Sequence, residues 1–242
     1  MVVRATGSTP QKAGAKAIFE PAGAIWGTLG GGCLEAESRK RALDALDGGA
    51  SLLFDLSLDH DYGWDDGLIC GGDVRVFVTA RTAEFRTALE QAVEAAENRA
   101  RGALVTRLPR QADETATVRW ITHEDIAAHA DFPGAEAVQT CIETGFAKHF
   151  HSEDESAEAF VEPVVPLPRL LIAGGGHVGQ ATAQLGVYLG FDVTVVDDRP
   201  AYTRADRYPE GTHTICGEIA AECARFPVGP DTYIVIVTRG HR

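Results

Sequence analysis

The residues of this sequence best suited to chemistry sit in glycine-rich turns. Two of these turns carry a cysteine: Gly30-Gly31-Gly32-Cys33-Leu34-Glu35 and Cys70-Gly71-Gly72. Glycine lets a ligand approach the backbone amides, and a helix beginning at such a turn aims its N–H groups and positive dipole end at an anion. A thiol at that end is favoured as thiolate, so Cys33 and Cys70 are candidates for a reactive group or for contact with a soft metal. The competing reading makes both cysteines small buried residues in tight turns. Glu35 and Glu37 are two apart on the expected helix, so they point to different faces and form no carboxylate pair. Glu35 is the nearer to the loop, and Glu37 is expected on the solvated surface.

A third glycine turn follows the apolar run Leu170-Leu171-Ile172-Ala173. Gly174-Gly175-Gly176-His177-Val178-Gly179 fits G-x-G-x-x-G, and an amphipathic segment with Val178, Ala181, Leu185 and Leu189 on one face leads through Gly190 to the strand Asp192 to Val196. Asp197 ends that strand 23 residues after Gly174. Strand, glycine turn, helix, strand and terminal acid in this order predict a dinucleotide-binding βαβ unit. In it Gly174 makes the turn, Gly176 lets a phosphate reach the helix N-terminus, Gly179 packs helix on strand, and Asp197 accepts from a ribose hydroxyl. Arg199, two residues on, suits an extra phosphate, so NAD and NADP both remain open. His177, in the first helical turn, either touches a phosphate or substrate or faces solvent.

Other polar groupings point to less. His149 and His151 share a strand face, but no third ligand lies near them in sequence, so no metal site is expected there. The aspartates between Asp55 and Asp66 lack calcium-loop spacing and read as a solvated loop. Trp26, Trp64 and Trp120 are too scattered for a base-stacking platform. Cys216 and Cys223 read as packing residues. The five cysteines are odd in number and include no C-x-x-C, which argues against a disulfide framework and a structural zinc.

The elements that must hold these turns follow from periodicity and breakers. Strands are expected at Met1 to Ala5, Ala15 to Glu20, Ala24 to Leu29, Ser51 to Leu58 and Val74 to Val78, with a helix from Leu34 to Leu46. A second helix spans Thr82 to Arg99, and strands cover Ala103 to Leu108 and Ala116 to Ile121. The proline-punctuated stretch through Pro163, Pro166 and Pro168 reads as a linker. The division expected is an α/β domain over 1–80, a middle segment and linker over 81–167, and a doubly wound parallel sheet of Rossmann type over 168–242. Only four lysines accompany 18 arginines, and 35 acidic residues bring the net charge to −13. With no basic cluster, neither nucleic acid nor an anionic membrane is an expected partner. No apolar run spans a bilayer and no leader precedes the first strand, so a cytoplasmic protein with reduced thiols is expected.

Val2-Val3-Arg4 through Gly7-Ser8-Thr9-Pro10, Gly14-Ala15, the two cysteine turns, Gly174 to Gly179, Val196-Asp197-Asp198-Arg199-Pro200 and Val237-Thr238-Arg239-Gly240-His241 together resemble the XdhC/CoxI family, the xanthine dehydrogenase accessory factors. The motifs fall in the same order and span nearly the whole chain. The resemblance implies an N-terminal XdhC/CoxI domain and a C-terminal Rossmann domain. It also implies a chaperone that binds the molybdenum cofactor (molybdopterin), assists its sulfuration with a cysteine desulfurase, and delivers it to a molybdenum hydroxylase apoenzyme. On that reading Cys33 and Cys70 stand at the molybdenum end, and a glycine turn holds the phosphate. The family pattern usually adds a helix before the first strand and further Rossmann elements after the last motif. Their absence here predicts a truncated sheet with uncovered apolar surface, covered by a partner or a second copy.

Two other classes compete. An NAD(P)-dependent oxidoreductase would use the same fingerprint, yet it needs an acid or base opposite the nicotinamide, and only His177 and His241 lie near the Rossmann turns. A nucleotide-sensing domain would need only Gly174 to Asp197 and leaves the cysteine turns unexplained.

Overall fold

The structure is a computed structural model that describes residues 1–49, 51–58, 71–111, 114–126, 134–152, 154 and 157–238. Two compact units divide the chain, Met1–Val165 and Pro166–Arg242.

The first unit is built on two antiparallel sheets. One has the order β1 (Val2–Thr6), β5 (Asp73–Thr79), β4 (Ser51–Ser57); a separate hairpin pairs β2 (Ala17–Phe19) with β3 (Ile25–Gly27). Alternation along β5 sends Val74, Val76 and Val78 to one face and Phe77 to the other. The valine face packs with Phe54 and Leu56 under Leu34 and Ala45 of α1 (Gly32–Gly48). A register shift between Val2 and Arg4 lets β1 bury two consecutive residues, Val2 toward α1 and Val3 toward Phe77.

The second sheet has the order β7 (Thr117–Thr122), β6 (Gly102–Arg107), β9 (Glu158–Val164), β8 (Lys148–His151). Leu108 and Phe160 meet Val3 and Phe77, so residues beyond position 80 share a core with the first strands. Its other face buries Ala103, Val105, Ile121 and Val161 against Val138, Cys141 and Ile142 of α3 (Ala135–Thr144), a helix the sequence pattern did not mark. Pro163 lies inside β9, opposite Ala103, so it belongs to a strand and not to the linker. α2 (Arg86–Glu97) buries Ala88 and Ala92 and leaves Leu89 and Val93 exposed.

The second unit is a four-stranded parallel sheet in the order β12 (His213–Cys216), β11 (Asp192–Asp197), β10 (Arg169–Ala173), β13 (Thr232–Ile236). Numbered from the first strand of the unit this is 3-2-1-4, the Rossmann order. β10 and β11 are buried on both faces, as their unbroken apolar runs require. The connection α4 (His177–Tyr188) reverses the expected face. Its buried residues are Gly179, Ala183 and Gly186, while Val178, Leu185 and Leu189 stay exposed. Close approach to the sheet is the cause: a side chain at Gly186 would come 2.6 Å from Leu170. α5 (Ile219–Arg225) is capped by Glu218, whose carboxylate accepts the Ala220 and Ala221 N–H groups. Cys216 is exposed at the end of β12 rather than packed. No helix among the described residues is long and apolar enough to cross a membrane.

Candidate functional site

In the first unit three glycine-bearing loops converge at the N-terminus of α1. Gly7, at φ 73°, faces Gly72, where any side chain would collide with the carbonyl oxygens of Thr6 and Ser8. Gly30, at φ 102°, sits against Pro10, where a side chain would come 2.5 Å from its Cβ. The turn after β1, the turn before α1 and the Gly71-Gly72 turn before β5 are thereby one assembly. Cys70, together with the acidic loop through Asp66, lies outside the described residues.

Glu35 organises this assembly. Its Oε2 accepts the Leu29 N–H at 3.0 Å, the Gly31 N–H at 3.3 Å and the Thr28 hydroxyl at 2.9 Å, and the Thr28 hydroxyl oxygen in turn accepts the Gly30 N–H. The Leu29 amide, then the Thr28 and Gly31 bonds, hold its carboxyl below the usual range against the opposing effect of burial. The carboxylate therefore already fills part of the anion nest that the glycines make. What it leaves is the first turn of α1, at Gly32 and Cys33, where no side chain caps the helix. Gly31 and Gly71 face open space, and Cys33, two residues after Gly31, is a half-buried free thiol. Glu37 pairs with Arg41 at 2.7 Å on the helix flank, away from this role.

In the second unit Gly174 adopts φ 111° and would, with a side chain, come 2.8 Å from the Val237 carbonyl oxygen. A side chain at Gly179 would overlap the Gly174 carbonyl oxygen, so this glycine serves the packing of α4 on the turn. Gly176 is the open position, the N-cap of α4 with nothing near it, and His177 beside it is exposed. Tyr208 packs against the turn, its hydroxyl donating to the Tyr202 carbonyl at 2.5 Å and lying 3.2 Å from the Gly175 carbonyl oxygen.

Asp197 is occupied by the protein itself. Its Oδ1 accepts from the Arg199 N–H and Nε, both at 2.9 Å, and its Oδ2 from the Gly175 N–H at 2.8 Å and Arg199 Nη2 at 2.9 Å. These bonds, the Arg199 side chain first, hold its carboxyl far below the usual range. Four donors use the four acceptor directions of a carboxylate, so in this arrangement a ribose hydroxyl reaches Asp197 only by displacing Arg199. Arg199 also stacks over Tyr202, 3.8 Å from the ring centre. His241 lies outside the described residues.

One grouping escaped the sequence pattern. His149 and His151 share a face of β8, as expected, but β9 brings a third group, Glu158, directly opposite His151. The hairpin register supplies the ligand that proximity in sequence did not, and a His-x-His followed seven residues after its second histidine by a glutamate across a polar turn was the available signal.

Comparison with known proteins matches the chain at both ends. The family described as XdhC and CoxI matches residues 1–56, and that described as the XdhC Rossmann domain matches residues 170–242. The whole chain aligns with 71% of the length of a probable xanthine dehydrogenase subunit from Bacillus subtilis (strain 168), at 26% identity. A 72-residue stretch is 33% identical to an uncharacterized protein of Escherichia coli (strain K12), covering 29% of this chain and 13% of that protein. The crystal structure of a xanthine dehydrogenase from Bacillus halodurans superposes with TM-score 0.73 at 21% identity, over 97% of this chain and 68% of that one. With the glycine turns of both units in place and both domain patterns matched, the chain belongs to the XdhC/CoxI family.

Proposed function

We propose that this protein is an accessory factor for a molybdenum hydroxylase of the xanthine dehydrogenase type. It takes up the molybdenum cofactor as cargo, assists its sulfuration and delivers it to the apoenzyme. The observation that carries this reading is the convergence of three glycine loops around the uncapped first turn of α1, with the half-buried thiol of Cys33 beside it. The cargo offers a phosphate at one end and a dithiolene-bound molybdenum with an oxo or sulfido ligand at the other. The donor set suits both ends: backbone amides at a helix start hold a phosphate without lysines, and a thiol is a soft donor for the metal end. Cys33 and Cys70 are assigned to the molybdenum end. Gly30 to Gly32, with Gly71 and Gly72, shape the cradle, and Glu35 holds its backbone in place. Gly174, Gly176, Gly179 and His177 offer a second phosphate position at α4. A cysteine desulfurase and the hydroxylase apoenzyme are the partners this requires.

The oxidoreductase reading is disfavoured by Asp197, which is buried and saturated by Arg199 and Gly175. The deciding experiment adds molybdenum cofactor and NAD(P)H separately to the purified protein, and measures binding together with reconstitution of an apo hydroxylase. Cofactor binding and faster reconstitution, both reduced by combined Cys33→Ala and Cys70→Ala, are expected. Wild-type affinity and activation in that double variant would refute the cysteine assignment, and nicotinamide binding with turnover would refute the accessory role.

A further inference from the structure

The β8–β9 hairpin carries a cluster that the accessory role does not use. His149 Nε2 lies 2.8 Å and His151 Nε2 3.8 Å from Glu158 Oε1, and the ligand atoms of the three residues all fall within 4.8 Å of one another. In a tetrahedral shell with metal–ligand bonds of about 2.0–2.1 Å, ligand atoms stand roughly 3.4 Å apart. Small side-chain rotations therefore bring the three into place without moving the strands. The two imidazoles already meet edge to face, with ring centres 4.3 Å apart.

The surroundings favour an ion with one position left open. Glu158 is buried at 5% exposure, whereas the side chain of His151 is 44% exposed, so the cluster has a closed back and an accessible front. That front opens on a cleft of about 510 Å³ lined by His151 and Glu158 together with Arg41, Arg75 and Arg110. Arg75, which lines the same cleft, donates from Nη2 to Glu158 Oε2 at 3.2 Å and from Nη1 to Asp55 Oδ2 at 3.0 Å. The Arg75 guanidinium thus holds Glu158 at both oxygens, as carboxylate ligands are commonly held by a neighbouring donor, with Nε 3.0 Å from the Oε1 that also faces the two histidines. Arg75 Nε is buried near Oε1 without a hydrogen bond of its own among the described residues. Among Arg4, Arg75, Asp55 and Glu158 two positive and two negative charges balance along the chain of ion pairs that joins them, and on the cleft wall Arg41 pairs with Glu37.

We propose that His149, His151 and Glu158 form a binding site for a first-row divalent transition-metal ion such as zinc, with its remaining coordination position turned into the cleft. Two imidazoles and one carboxylate suit such an ion and not magnesium or calcium, which take oxygen ligands in larger number. The open position takes water or an anionic group, and the arginines that line the same cleft favour the anion.

The test uses the full chain, stripped with chelator and titrated with cobalt(II) and with zinc(II). Expected are one equivalent bound, visible cobalt bands without a thiolate charge-transfer band, and a higher melting temperature on zinc addition. His151→Ala removes a side chain that is 44% exposed and is expected to leave the fold intact and to weaken binding at least tenfold, while His213→Ala on the other unit leaves it unchanged. His149→Ala is expected to act like His151→Ala. Absence of stoichiometric binding at micromolar zinc, a thiolate band in the cobalt spectrum, or unchanged affinity in a folded His151→Ala protein would overturn the proposal.

Discussion

Replacing Glu35 by alanine tests whether one carboxylate organises the cysteine-bearing loop. The change removes the acceptor for the Leu29 and Gly31 N–H groups and the Thr28 hydroxyl. Leu29 is 1% exposed, so its amide is cut off from water, and an orphaned buried donor costs roughly 1–2 kcal/mol. Gly31 and Thr28 are more accessible, and water replaces most of what they lose. The negative charge in the first turn of α1 adds about 0.5 kcal/mol through the helix dipole. The expected loss is about 2–3 kcal/mol for Glu35→Ala and about half that for Glu35→Gln, which keeps an acceptor but not the charge. All three tryptophans lie before position 166, so intrinsic tryptophan fluorescence in a urea titration reports on the first unit alone. The pH dependence has a definite sign. Because the folded carboxyl titrates below its unfolded value, its contribution is complete above the unfolded pKa of about 4.3 and is lost as pH falls through the lower folded value. The gap between wild type and Glu35→Ala therefore shrinks in acid. A variant within about 0.5 kcal/mol of wild type at neutral pH, or a gap that persists undiminished in acid, would refute the argument.

Three further outcomes are expected. Gly179→Ala, whose new methyl overlaps the Gly174 carbonyl oxygen, should destabilise the second unit by about 2–4 kcal/mol in chemical denaturation followed by tyrosine signals, whereas Gly176→Ala, at φ −64° with nothing near it, should stay within about 0.5 kcal/mol. Asp197→Asn should cost the same unit roughly 2–4 kcal/mol, and the difference from wild type should be full above the unfolded carboxyl pKa of about 3.9 and narrow progressively as pH falls below it toward the lower folded value. Alkylation at pH 8 followed by mass spectrometry should label Cys33 and Cys216 and spare Cys141 in the folded protein, because burial pushes the Cys141 thiol up to about 12 and it faces the Val161 carbonyl inside the core.

The glycine turns were legible because their requirement is local. Gly30, Gly31, Gly32 and Gly174 all adopt positive φ, a conformation that side chains resist, so glycine at those positions announces a turn in any context. The parallel sheet was legible for a similar reason, since only strands buried on both faces read as Leu170-Leu171-Ile172 or Val193-Thr194-Val195-Val196. Helix faces were not. In both α2 and α4 the residues pressed against a sheet are alanine or glycine, and the leucines and valines that define the apolar stripe point away. A hydrophobicity pattern identifies the bulkier stripe, whereas interaxial distance selects the smaller one, and nothing in the local sequence tells which condition prevails. Glu158 was hidden for another reason. Its significance arises from pairing across a hairpin, a register that spacing along the chain does not reveal.

The two glycine turns of different units follow one physical solution. At each, a carboxylate from the adjoining helix or strand accepts an amide of the turn: Glu35 takes the amides of Leu29 and Gly31, and Asp197 takes that of Gly175. A glycine turn left to itself is the most entropically costly backbone to order, so a bound anion would have to supply that ordering from its own binding energy. With an internal carboxylate holding the turn, the remaining amides at the start of α1 and α4 need no further ordering, which is what the proposed phosphate sites require. The same arrangement reconciles the composition with an anionic ligand. A chain of net charge −13 with four lysines does not need a basic patch when helix-start amides supply the positive potential, and an internal carboxylate nearby disfavours anions that make too few amide contacts to outweigh its repulsion.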